Sequence, residues 1–205
     1  MWKLYRTMKC TLGYAILQGI NVAITVVTLL RLFKSTGDEQ KDEFYSGIAL
    51  LAYGVGCFFG AYTGGKLCDL MIVRRVTYLG HLVFAVACIF SIMISLIDVF
   101  PLSCLACFCW GFSLFFIVSN GMVICSKLFN GTYQAFAVVR QMESFALILY
   151  YSVSLASQNS APIPLIMLFL LFLVIPSFWL TSQLPEESTN ADQIISFLET
   201  DEKIN

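Results

Sequence analysis

Charge is what this sequence has least of. Asp, Glu, Lys and Arg make up 12 % of its 205 residues, about half of what a soluble domain usually carries. No acidic residue precedes Asp38, and His81 is the sole histidine. A net charge of −1 leaves no basic surface for a phosphate backbone, so nucleic acid is excluded as a partner. The chain holds no Ser/His/Asp arrangement, no glycine-rich phosphate loop ahead of a helix and no paired carboxylates at a cleft. No enzymatic activity and no cofactor are expected.

The eight cysteines, Cys10, Cys57, Cys68, Cys88, Cys104, Cys107, Cys109 and Cys125, almost all fall inside or at the ends of apolar runs. There they act as small hydrophobes, and no disulfide framework is expected. Cys104, Cys107 and Cys109 share one apolar run, while His81 belongs to another. That separation argues against a metal site. His81 reads as a packed or interfacial residue of its own helix.

What the sequence has in quantity is apolar residues, 59 % of the chain, with a mean hydropathy of +0.81. Long apolar runs recur, each near or above the ~20 residues that cross a bilayer as a helix. The expected architecture is an all-α integral membrane protein. Six spans are read at about 12–32, 44–65, 76–97, 102–125, 133–156 and 163–184. A basic segment, 1–11, precedes them, and an acidic tail, 185–205, follows.

Lys3, Arg6 and Lys9 resemble the start of a signal peptide, but the next apolar run is far longer than the ~7–15 residues of a cleavable one. It reads as a retained first helix. Basic residues concentrate on one side: Lys3, Arg6, Lys9, Lys66, Arg74, Arg75, Lys127 and Lys203, against Arg31, Lys34 and Lys41 on the other. The positive side stays inside, so both termini are expected there. The sequon Asn130-Gly131-Thr132 then faces away from the glycosylating compartment.

Polar residues within apolar runs need explaining, because lipid offers them no partner. Gln18 and Asn21 lie three apart on the first span and Asn120 sits well inside the fourth. They read as packing contacts between helices or as substrate contacts. Arg140 and Glu143, also three apart, share one face of the fifth span. They read as a structural ion pair or as a polar site in a pathway. Gly56, Gly60 and Gly64, at spacings of four, strip side chains from one face of the second span, so another helix backbone can approach it. In the tail, Thr189 and Asp192 can cap a short helix with Ala191, Ile194, Ile195 and Leu198 on one face. A solvated tail and a partner-docking helix are both open.

The turn between the second and third spans, Gly65-Lys66-Leu67-Cys68-Asp69 and then Arg74-Arg75, resembles the loop signature of the major facilitator superfamily. Leu70 stands where that signature has a basic residue, and Ile72 and Val73 precede the basic pair in place of a glycine. The resemblance implies a latch in which Asp69 engages Arg74 or Arg75. The stretch Tyr133 to Ser144, with Arg140 three residues before Glu143, and Tyr53-Gly54-Val55-Gly56 in the second span resemble the C-terminal half of the "uncoordinated" group of that superfamily. Members of that group are regulators of potassium channels or of receptor trafficking.

Facilitator transporters join two six-helix halves around a midplane site. This chain is expected to supply one half. The resemblance therefore implies a non-catalytic accessory or regulatory subunit held among other membrane-protein subunits, or a small-solute transporter acting as a homodimer. The plasma membrane, an endomembrane and the mitochondrial inner membrane all suit such a chain.

Overall fold

The computed structural model describes residues 8–27, 39–97, 99–129, 132–156 and 163–184. Among the described residues there are six helices and no strand: α1 Lys9–Val27, α2 Glu39–Leu70, α3 Val73–Leu96, α4 Phe100–Leu128, α5 Tyr133–Ala156 and α6 Ile163–Ser182. Within α2, α3 and α4, the segments Glu43–Leu70, Val73–Leu96 and Phe100–Lys127 are long and apolar enough to cross a membrane. Shorter apolar stretches run over Thr11–Ile24 in α1 and Ile166–Ser182 in α6.

Both ends of α2 differ from the sequence reading. The helix starts at Glu39, not near 44, so Lys41, Asp42 and Glu43 ride on it. Apolar content marks where a helix is buried or greasy, not where its backbone bonding begins, and acids suit a helix N-terminus. The helix also runs through Gly65 to Leu70, so Gly65, Lys66 and Asp69 belong to its last turns and not to a loop. The actual turn is Met71 and Ile72. Met71 N–H still bonds the Leu67 carbonyl at 2.9 Å, and Ile72 is extended, φ −61° and ψ 132°. Arg74 and Arg75 then fall in the first turn of α3.

α1 opens at Lys9, so the end of the expected basic segment is helical. α4 begins with Pro101 in its first turn, where a missing N–H removes no helical bond. It extends three residues beyond the expected end at 125. Lys3 and Arg6, the stretch 28–38 with Arg31 and Lys34, Asn130 and Gly131 of the sequon, and the tail 185–205 with its possible short helix lie outside the described residues.

α4 and α1 form the middle of the bundle. α4 packs against α2, α3 and α1, while α1 packs against α4, α5 and α6, and α3 meets α6. α2 rests mainly on α4 and α5 mainly on α1, so these two helices flank the bundle. The core holds Tyr14, Leu17, Ile24, Phe84, Trp110, Ile117, Ile124, Met167 and Leu170. The outside is equally apolar on α2 and α6, with Leu51, Phe58, Tyr62, Phe169, Phe172 and Trp179 exposed. Helices apolar on both faces are those of a membrane span or a buried core.

Candidate functional site

The closest helix contact is made by backbones. A methyl group on Gly56 would overlap the carbonyl oxygen of Phe108, and one on Gly60 would overlap that of Phe112. At Gly64 it would lie 3.2 Å from Phe116 Cα. The contact is mutual, since a methyl group on Gly111 of α4 would strike the Tyr53 carbonyl of α2. A backbone carbonyl cannot rotate aside, so a side chain at Gly56, Gly60 or Gly111 would force the two helices to shift.

That close approach brings the end of α2 beside Asn120, which is fully buried. Its amide nitrogen donates to Tyr14 Oη at 3.0 Å and to Thr77 Oγ1 at 3.1 Å, and its oxygen accepts from Cys68 Sγ at 3.4 Å. One side chain on α4 thus ties together α1, α2 and α3. Both amide hydrogens and the oxygen are used, the arrangement a buried amide requires.

The network continues through α3. His81 Nδ1 lies 2.7 Å from the Thr77 carbonyl, and its Nε2 lies 2.7 Å from Ser177 Oγ on α6. A carbonyl can only accept, so Nδ1 carries the proton and, in the neutral ring, Nε2 accepts from the serine hydroxyl. The Tyr14 ring packs 5.3 Å from the His81 ring, centroid to centroid. Glycines make room for this arrangement: a methyl group on Gly80 would strike Tyr14 Oη, and one on Gly13 would lie 2.9 Å from Ser177 Oγ.

The two amides of α1 diverge. Asn21 Nδ2 donates to Ser113 Oγ of α4 at 2.9 Å, while Gln18 Nε2 donates to Glu143 Oε2 of α5 at 3.2 Å. Next to Gln18, a methyl group on Gly19 would overlap the Glu143 carbonyl, so α1 and α5 also meet backbone to backbone. Arg140 Nη1 donates to the same Glu143 oxygen at 2.6 Å. The pair does not face the bundle interior as a unit: Glu143 is 12 % exposed and Arg140 is 52 % exposed. A long guanidinium stem lets Arg140 keep its head outward while its partner is covered.

Between α1, α4 and α5, Tyr14, Gln18, Gly121, Ile124 and Val139 line a cavity with room for a single water, about 10 Å³. Charged residues also surround the α2–α3 turn. Asp69 is exposed, Arg74 Nε donates to Tyr78 Oη at 3.2 Å within α3, and Lys127 Nζ of α4 donates to the Cys68 carbonyl at 2.7 Å. A lysine on the last carbonyls of a helix satisfies groups that have no intrahelical partner and suits the negative end of the helix dipole.

Of the polar residues singled out in the sequence, Gln18 and Glu143 meet directly, and Asn120 stands at the centre of a second cluster. Tyr14, Thr77, His81, Cys68 and Ser177 complete that cluster, and of these only Cys68 fell within a motif. A four-residue spacing was the available signal: Tyr14 precedes Gln18, and Thr77 precedes His81, by one helical turn. Cys104, Cys107 and Cys109 are free thiols on α4. No group of three or more His, Cys, Asp or Glu side chains is placed to hold a metal among the described residues. Compared with known proteins, the chain matches no family model, no curated protein and no solved structure.

Proposed function

We propose that the chain is a non-catalytic accessory or regulatory subunit of a larger membrane assembly, a half-facilitator bundle of six spans with both termini inside. The observation that carries this reading is the mutual bonding of the interior polar groups. Asn120, Thr77, His81, Ser177 and Gln18 are turned toward one another or toward Glu143, and the cavity beside them has room for a single water. A solute site keeps polar groups convergent on an open cleft. Here those groups hold helices together. The backbone contact along Gly56, Gly60 and Gly64 acts in the same direction, stiffening α2 against α4.

The basic residues Lys9, Lys66, Arg74, Arg75 and Lys127 support placing that end of the bundle inside. The test is the native mass of the endogenous protein in a mild detergent, with every co-migrating chain identified by mass spectrometry. A particle far heavier than two copies, with defined companions, is the expected result. A particle of one or two copies alone counts against the accessory role.

A second reading, a small-solute transporter acting as a homodimer, draws on one contact. Glu143 joins exposed Arg140 to buried Gln18 beside the water-sized cavity. Under that reading Glu143→Gln abolishes flux and leaves folding intact. Unchanged flux, or a folding defect without any flux to lose, removes it.

A further inference from the structure

Gln18 is 1 % exposed, and only one end of its amide is bonded. Its Nε2 donates to Glu143, while its Oε1 accepts from no donor among the described residues. A carboxylate only accepts, so the bond to Glu143 fixes which end of the amide is the oxygen. A buried carbonyl left without a donor carries a desolvation cost that native interiors nearly always relieve.

That oxygen borders the cavity between α1, α4 and α5. A methyl group on Gly121 would find one atom of another helix within 4 Å, Gln18 Oε1 at 3.1 Å, so this oxygen stands at the edge of open space. Both residues line the cavity, and the other polar side chains around it are those of Thr11 and Tyr14. Thr11 Oγ1 gives its hydrogen to the Met8 carbonyl at 2.8 Å and retains its lone pairs. Tyr14 Oη accepts from Asn120 at 3.0 Å, and its own hydrogen has no acceptor among the described residues. Ile124 and Val139 supply apolar walls, and every lining residue is buried.

The occupant must be small and must bond in both directions. About 10 Å³ is the least room that holds a water, and a buried water needs about two to four polar partners. Three side-chain oxygens are too few for a hard divalent cation, which takes about six or more.

We propose that the cavity is a built site for one structural water, which donates to Gln18 Oε1 and draws its remaining bonds from the hydroxyls of Thr11 and Tyr14. Gln18 is bonded to Glu143 and Tyr14 to Asn120, so this water joins the two polar clusters into one network across α1, α4 and α5. The site rests on the packing of those three helices and not on the accessory reading.

A structure of the full chain in detergent, at a resolution that shows ordered water, tests the proposal. A peak about 2.5 to 3.0 Å from Gln18 Oε1 is expected. A dry cavity in a map that resolves other waters overturns the site, and so does a protein donor turned onto that oxygen. Either result leaves the accessory reading to the native-mass measurement. Gly121→Ala is an independent check, because its methyl group enters the same space. Alanine ordinarily stabilises a helix relative to glycine. Here the methyl group displaces the water and strands Gln18 Oε1, so the thermal midpoint in detergent should fall. A midpoint equal to or above that of the unsubstituted chain overturns the site, and the map of the unsubstituted chain decides the matter even if this variant does not fold.

Discussion

Asn120 is the residue on which the most helices depend. Its side chain makes three bonds to three other helices, while Ser177 is joined to His81 by one. Interhelical hydrogen bonds in membrane proteins average about 0.6 kcal/mol each, so Asn120→Ala should cost about 2 kcal/mol and Ser177→Ala well under half of that. Thermal unfolding in detergent should show the ranking, and equal effects would mean that the bonds are not what holds the cluster. Glu143 is a milder case than its position in an apolar run suggests. Breaking a fully buried ion pair costs about 3 to 5 kcal/mol, but Arg140 reaches the surface, and exposed pairs contribute about 0 to 1 kcal/mol. Glu143→Ala should therefore lose about 1 kcal/mol, much of it through Gln18, which is left without its carboxylate. A loss several times larger would place Arg140 in a covered environment.

At the scale of the helix, the glycines of α2 divide into two kinds. Gly56 and Gly60 face backbone carbonyls of α4, whereas a methyl group on Gly54 would meet nothing within 4 Å. Gly60→Ala should destabilise by about 1 to 3 kcal/mol, the usual range for overpacking a tight contact. Gly54→Ala should be neutral or stabilise by up to about 1 kcal/mol, because alanine is the better helix former. Unfolding of the two variants side by side checks both the packing and its register, and a harmless Gly60→Ala would remove the close α2–α4 contact. The last turn of α2 offers a separate element-scale test. Lys127→Met removes the cation from the Cys68 carbonyl and should lower stability by about 0.3 to 1 kcal/mol, with fraying confined to the end of α2 in hydrogen exchange.

For the molecule as a whole, the decisive variable is which ends of the helices lie on which side of the membrane. Lys66, Arg74, Arg75 and Lys127 gather where α2 ends, α3 begins and α4 ends. If that end is inside, the sequon Asn130-Gly131-Thr132 receives no glycan, and an acceptor engineered between α3 and α4 is glycosylated. Glycan mapping on the expressed chain reads both sites at once. Modification of Asn130 would invert the bundle.

Composition and apolar periodicity by themselves determined that the chain is helical, how many helices the described residues form, and that several of these helices suit a bilayer. Those properties follow from runs of apolar residues, which act locally and need no partner to be recognised. The glycine spacing in α2 also marked a face for close packing, since the lack of a side chain is local information. The tertiary structure decided what lay across from each face. It set the Phe108, Phe112 and Phe116 backbone against the glycines, gathered Tyr14, Thr77, His81 and Ser177 around Asn120, and turned Arg140 outward while covering Glu143. It also carried α2 past Gly65, because helix bonding continues wherever packing tolerates it, as it does at Gly64 against Phe116. Contacts between residues as far apart as Gln18 and Glu143 depend on how helices are arranged about one another. Nothing in the local pattern of either helix specifies that arrangement.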